Sequence, residues 1–267
     1  MGLPNQDRCL LLESDQMTLA ALFDGHGENG HVVADRALRD LPFRLLKSTT
    51  NKVEQRIRES FLETDASPEI QTVTDGGTSA VIAWRIGTKV YLASTGDSTG
   101  MLVKYQDGTS EVVLEALKHK PADPLERARI EAVGGIVLVP EDSELTSRVL
   151  YKTRLGEMAL AMSRCIGDFD GKAPGYLIAE PSIVAKDLSP ALGGGNSFYY
   201  LVVASDGLID EIDQDVLLTK LGNALKKGVG LSKLVKQLLD DAQRSWSVKM
   251  MGAYRDDMSI VVTRLRI

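Results

Sequence analysis

The chain has 267 residues, of which 43% are hydrophobic and 25% charged, with a formal net charge of −6, the profile of a globular protein able to bury a substantial core. The acidic balance and the lack of any long run of Lys and Arg exclude a nucleic-acid backbone as partner. No apolar run reaches the roughly 18 residues of a membrane span, and the two cysteines, Cys9 and Cys165, are too few for a disulfide framework, so a cytoplasmic or nuclear setting is expected. The N-terminus lacks the basic-then-apolar layout of a signal peptide, and Gln6 stands where a myristoylation signal needs Ser or Thr.

Short strands are expected over 9–13 and 17–23, joined by the polar "SDQ". Over 29–47 the period changes: Val32, Val33, Leu38, Leu41 and Leu45 recur at helical spacing, and 52–63 continues with Val53, Ile57 and Leu62. Strands return over 79–86, 89–94, 101–105 and 111–115, punctuated by "IGTK" and "QDGTS", where glycine supplies the positive φ of a tight hairpin. A helix is expected over 124–133, with Pro124 in its first turn and Gly134-Gly135 past its end. Further strands fit 158–162, 182–186 and 199–205; helices over 213–226 and 231–245 precede a last strand over 258–265. Antiparallel runs, paired helices and no βαβ alternation place the chain in the α+β class, with sheets packed together and helices outside. One domain over 1–267 is expected. "LGGGNS" at 192–197 reads as a surface loop too brief to divide it. The stretch 136–155 is long for a connection and reads as a specificity-setting flap.

Asp-Gly occurs five times, at Asp24, Asp75, Asp107, Asp170 and Asp206. Each alone reads as a turn, but Asp24 follows "LAALF" and Asp206 follows "YLVVAS", so these two carboxylates emerge where buried strands end. An isolated charge there is costly to desolvate unless something cancels it. Asp7 lies just before the first strand and Asp256-Asp257 just before the last, which enlarges the set. Such acids demand a cation, and an all-oxygen set without a His or Cys cluster selects magnesium or manganese over zinc. Gly25, lacking a side chain, lets its carbonyl approach a metal. His26 in isolation reads as a structural histidine; beside metals that generate a hydroxide it is suited to protonate a leaving alkoxide.

With "NQD" before it, "FDGHG" opens an ordered series: "GGTSA", "STGDSTG", "KHKPADPLERARIEAVGG", "ALAMSRCIGDFD", "VVASDGLID" and "YRDDMSIVV". The series resembles the metal-dependent protein serine/threonine phosphatases of type 2C and spans essentially the whole chain. The resemblance implies a central β-sandwich of two antiparallel sheets flanked by pairs of antiparallel helices, a four-layer αββα arrangement. It also implies two divalent cations, Mn or Mg. Asp24 would bridge them, Gly25 would offer its carbonyl to one, Asp206 and Asp256 would hold the other, and Asp7 would act through water. A metal-bridging hydroxide would attack phosphoserine or phosphothreonine of protein substrates in line, without a phosphoenzyme, and His26 would protonate the leaving oxygen. Nothing in the chain requires oligomerisation, so a monomer is expected.

Several positions depart from the family pattern. Lys118 stands where an Asp often helps hold a third metal, and its ammonium is expected to replace that cation beside Asp206 or Asp210. Thr99 replaces an arginine, Asp257 an asparagine, and Cys165 a small residue. The basic residue that relatives carry upstream of the first acid is missing: either the N-terminus is shortened, or Arg148, Lys152 or Arg154 grips the phosphate. These departures keep a second function class open, a catalytically weakened scaffold or binding protein.

Overall fold

In the first hairpin, β1 (Asp7–Glu13) and β2 (Met17–His26), antiparallel pairing sets Asp7 opposite Asp24. The structure, a computed structural model, describes residues 4–142, 146–153, 156–189 and 197–266. After the hairpin come α1 (Gly30–Lys47), α2 (Val53–Asp65) and a single turn, α3 (Pro68–Gln71). Strands β3 (Gly77–Thr78), β4 (Ala80–Ile86), β5 (Lys89–Thr95), β6 (Thr99–Gln106) and β7 (Thr109–Glu115) follow. Helix α4 (Pro124–Ala132) starts as the sequence predicts: the Asp123 side chain accepts from the Leu125 and Glu126 amides, and Pro124 occupies the first turn. Next are β8 (Ile136–Leu138), β9 (Arg148–Thr153), β10 (Gly156–Leu160), β11 (Ile166–Gly167), α5 (Phe169–Lys172) and β12 (Ser182–Asp187). The chain ends with β13 (Phe198–Ala204), α6 (Asp206–Ile209), α7 (Gln214–Lys226), α8 (Leu231–Lys249) and β14 (Ile260–Arg264).

Among the described residues the strands form three antiparallel sheets. The first runs β11-β3-β2-β4-β5-β12 with β1 on β2, the second β14-β13-β6-β7, and a small third one β10-β9-β8. Successive side chains of a strand point to opposite faces, and the apolar clusters follow that rule. Leu19, Ala21 and Phe23 of β2, with Ile82 and Trp84 of β4, pack against Val33, Leu41 and Leu45 of α1 and Ile57 and Phe61 of α2. The intervening Ala20, Leu22, Val81 and Ala83 face Leu102 of β6 and Leu201 and Val203 of β13. On the far side of the second sheet, Tyr200, Val202, Met101 and Val103 meet Leu217 and Leu221 of α7 and Leu234 and Leu238 of α8. The order is helices, sheet, sheet, helices, the α+β sandwich expected. Strands buried on both faces explain why "LAALF" and "YLVVA" read as continuous apolar runs. Truncating a side chain such as Leu22 to Ala would cost about 2–5 kcal/mol.

The stretch 136–155, for which no strand was expected, carries β8 and β9 of the small sheet, where Val149 and Tyr151 point into a cluster with Ile130, Met162, Cys165 and Leu177. The strand expected over 158–162 is β10, shifted to Gly156–Leu160. The last strand begins only at Ile260, because the preceding acids turn into a cleft at its entrance. Of "LGGGNS", all but Ser197 lies outside the described residues. Among the described residues no helix is long and apolar enough to cross a membrane.

Candidate metal centre and active site

Strand direction gathers the acids. In the second sheet β13 ends at Ala204, paired with Thr99 at the start of β6 and with Ile260 at the start of β14. Asp206, Asp97 and Asp256 sit just beyond those three positions, at one end of the sheet. In the first sheet β1 starts and β2 ends at the same place, bringing Asp7 and Asp24 together. A cleft of about 700 Å³ opens there, with Asp24, Gly25, His26, Asp97, Asp206 and Asp256 in its wall. Asp7 stands behind Asp24, buried, its Oδ2 accepting from Ser205 Oγ at 2.9 Å.

The glycines next to these acids permit the convergence. A Cβ on Gly25 would lie 2.6 Å from the Gly30 carbonyl oxygen and 2.9 Å from that of Gln6. A Cβ on Gly207 would collide with the Asp257 carbonyl and sit 2.9 Å from Asp256 Cβ. Only a residue without a side chain lets the segment before β14 close against Asp206. Asp257 fastens that segment: its Oδ2 accepts from the Gln6 amide at 2.6 Å and its Oδ1 from Asn5 Nδ2 at 3.1 Å.

Crowded carboxylates in a buried place resist ionisation. Burial pushes Asp24 well above the usual carboxylate range, with Asp206 and Asp7 adding to it. Asp206 is raised to about 7 by burial and then by Asp97, Asp210 and Asp256. Burial also raises Asp7, Asp256 and Asp210. Two of the oxygens, Asp7 Oδ1 and Asp97 Oδ1, are buried without a hydrogen-bond partner. A hard divalent cation answers both facts at once: it neutralises the excess charge and occupies lone pairs that the protein leaves open. The donor set therefore fits Mg or Mn. One organic cation already serves the cluster, for the Lys120 ammonium pairs with Asp97. Burial opposes that charge, but Asp97 outweighs it and holds Lys120 above its ordinary pKa.

His26 is held from the opposite side. Its Nε2 lies 2.5 Å from Asp168 Oδ2, and Asp168 is almost wholly buried at the turn into α5. Tyr151 donates its hydroxyl to Asp168 Oδ1 at 3.3 Å, and Cys165 its thiol to Oδ2 at 3.2 Å. Gly77 makes the pair possible, since a Cβ there would collide with Asp168 Oδ2 and lie 2.7 Å from His26 Nε2. Burial disfavours a charged imidazole, but Asp168 outweighs it and raises His26 above its ordinary pKa. Reciprocally, burial would raise Asp168, and His26 brings it below the carboxylate range. The remaining nitrogen, Nδ1, is buried without a partner.

All six residues singled out in the sequence, Asp7, Asp24, Gly25, His26, Asp206 and Asp256, come to this end of the sandwich. Four others were missed. Asp97 lies in the quoted "STGDSTG" yet resembles a hairpin acid, Lys120 follows Lys118 by two residues in a loop without periodicity, and Asp168 and Arg255 lie in the quoted "ALAMSRCIGDFD" and "YRDDMSIVV" with nothing local to single them out. Lys118 does reach Asp210, whose burial-raised pKa it draws down, but Lys120 does so more strongly and also pairs with Asp97. Thr99 is buried with its hydroxyl unpartnered. Of the cations considered for gripping phosphate, Arg148 is in the cleft wall together with Arg255, Lys152 lines a different hollow, and Arg154 lies outside the described residues.

A family model described as protein phosphatase 2C matches residues 3–251. A probable protein phosphatase 2C 73 of Arabidopsis thaliana is 29% identical, covering 96% of this chain and 74% of its own. A second Arabidopsis thaliana relative, probable protein phosphatase 2C 61, is 29% identical over 98% of this chain and 80% of its own. In fold, the crystal structure of serine-threonine phosphatase 2C from Toxoplasma gondii superposes with a TM-score of 0.73 at 16% identity, over 98% of this chain and 91% of that one. A family-model match over residues 3–251, most of the chain, leaves one conclusion: the chain belongs to the protein phosphatase 2C family.

Proposed function

We propose that the protein hydrolyses phosphoserine and phosphothreonine in phosphorylated proteins with the help of two divalent cations, Mn or Mg. Asp24, Asp206, Asp256 and the Gly25 carbonyl would hold them, with Asp7 supporting from behind through water. When bound, such cations lower the pKa of a shared water and neutralise charge developing on the phosphoryl oxygens. The observation that carries the reading is the gathering of four carboxylates from separate strand ends, with an orphaned oxygen among them, beside a histidine paired with a buried aspartate.

The chain's own residues divide the remaining tasks. Arg148 and Arg255 bring positive charge to a cleft that is otherwise acidic, which offsets the repulsion a phosphate dianion meets at its mouth. Asp168 holds the imidazole through Nε2 and favours its protonated form, and a small rotation that brings the buried Nδ1 to the cleft would offer its proton to the departing serine or threonine oxygen. In-line displacement by water needs no nucleophilic side chain, and no phosphoenzyme enters the reading. The protein acts as a monomer, and the exposed free thiol of Cys9 supports a reducing setting, cytoplasm or nucleus.

Hydrolysis of a phosphothreonine peptide with Mn²⁺, set against an EDTA control and Asp206→Asn, tests the reading. Activity abolished by EDTA and by the substitution is expected. Wild type no faster than Asp206→Asn would favour the scaffold class instead.

A further inference from the structure

We propose that His26, Cys165 and Asp168 form a second metal site, for a thiophilic divalent cation of the zinc class, whose occupation switches the enzyme off. The inhibition, though not the binding, rests on the role given to His26 above. Nε2, Sγ and a carboxylate oxygen of these residues all lie within 4.8 Å of one another. Two of the three separations are shorter still, 2.5 Å from His26 to Asp168 and 3.2 Å from Cys165 to Asp168. Metal–ligand distances of about 2.0–2.3 Å at tetrahedral angles require ligand atoms about 3.4–3.6 Å apart. Adjustments of about 1 Å therefore suffice. His26, one-fifth exposed in the cleft wall, has room to make them.

Ligand chemistry separates this site from the acidic one. The first is all oxygen and suits hard Mg or Mn; here a thiolate, an imidazole and one carboxylate select a softer ion. The supporting shell is also present. Tyr151 holds the free oxygen of Asp168, as metal-ligating carboxylates are commonly held. Lys172, ion-paired with Asp65, lies near enough to favour the thiolate and the Asp168 carboxylate against the burial that raises the one and would raise the other. Entry is open from two sides, because His26 faces the cleft and Asp168 and Tyr151 face an adjoining hollow. Binding would release the thiol proton and the proton shared by His26 and Asp168 to solvent, leaving the metal bonded to Nε2, Sγ and Oδ2 with a fourth position for water. The imidazole, bonded through Nε2 and neutral, would then lack the acidity of the imidazolium and could no longer act as acid. The family resemblance puts a small residue at position 165, so the thiol that makes the site soft is a feature of this chain.

The test uses the Mn-saturated protein and its Cys165→Ala and Cys165→Ser variants, with Zn²⁺ titrated at two free Mn²⁺ levels tenfold apart. Inhibition in wild type at the same Zn²⁺ concentration at both Mn²⁺ levels, weakened at least tenfold in both variants relative to their own zinc-free rates, is expected. Equal sensitivity in all three proteins, or inhibition relieved in proportion to Mn²⁺, would overturn the proposal by assigning zinc to the oxygen centre. Co²⁺ serves as an independent probe that needs no turnover and no variant. A sulfur-to-cobalt absorption band in wild type is expected, and bound cobalt without that band refutes the site. A band in a protein that hydrolyses nothing would retain the metal site and refute the phosphatase reading.

Discussion

Asp168→Asn removes the charge that holds the His26 imidazole while keeping the side chain's size. A hydrogen bond to a charged group is worth about 1.5–3 kcal/mol, which at 1.36 kcal/mol per decade corresponds to a loss of roughly 10- to 150-fold in rate. That range applies where the leaving oxygen needs the proton. Threonine departs as a strongly basic alkoxide, whereas 4-nitrophenolate leaves readily as an anion. With saturating Mn²⁺, kcat for a phosphothreonine peptide is therefore expected to fall by that factor, and kcat for 4-nitrophenyl phosphate far less. The pH profile supplies a second reading. Without Asp168, burial is opposed only by the weaker influence of Asp97 and Asp206 and the pKa of His26 falls, so the alkaline limb of the peptide profile moves to lower pH. Equal losses on both substrates with an unmoved limb would mean that Asp168 only shapes the fold, and the reasoning would fail.

Gly77→Ala drives a methyl group between Asp168 and His26 and should lower peptide turnover on the order of a hundredfold, while the melting shift produced by Mn²⁺ stays as in wild type. Lys120→Met leaves Asp97 buried and unpaired; allowing for the lysine's partial exposure, urea unfolding should show a loss of about 2–3 kcal/mol. Acid should weaken the protein in two stages. Burial, reinforced by Arg164, holds His119 at about 4 in the folded state, below the ordinary 6.5 of a free imidazole, so its contribution is complete above 6.5 and is lost as pH falls toward 4. Glu126, which burial would raise but Arg164 and Ser163 hold at about 2 against an ordinary 4.5, adds a second loss between those two values. Urea midpoints measured across this range should flatten in the upper stage for His119→Gln and in the lower for Glu126→Gln.

The acids at the ends of β2 and β13 were legible because each closes a run buried on both faces, where a carboxylate has no structural reason to be. His26 was legible only through them. Its partner was not, because Asp168 is 142 residues away and the link is a side-chain contact, not a pattern. The small sheet escaped for a different reason. In "RVLYKT" only Val149 and Tyr151 are fully buried, too short an alternation to register against Arg148 and Lys152. The two-residue strands β3 and β11 carry no period at all, although they bring Gly77 to the histidine. Choosing between Lys118 and Lys120 needed the direction of each side chain, which a loop does not encode.

The bonds from Asp257 to Asn5 and Gln6 join points 252 and 251 residues apart in the chain. During synthesis on the ribosome, Asp24 and its neighbours emerge well over two hundred residues before Asp256 arrives. On the proposed reading, a nascent chain has no finished centre until translation has passed the last of these acids. The same closure places the two ends of the fold side by side, so a circular permutant joined there and opened at a distant surface turn should retain the centre.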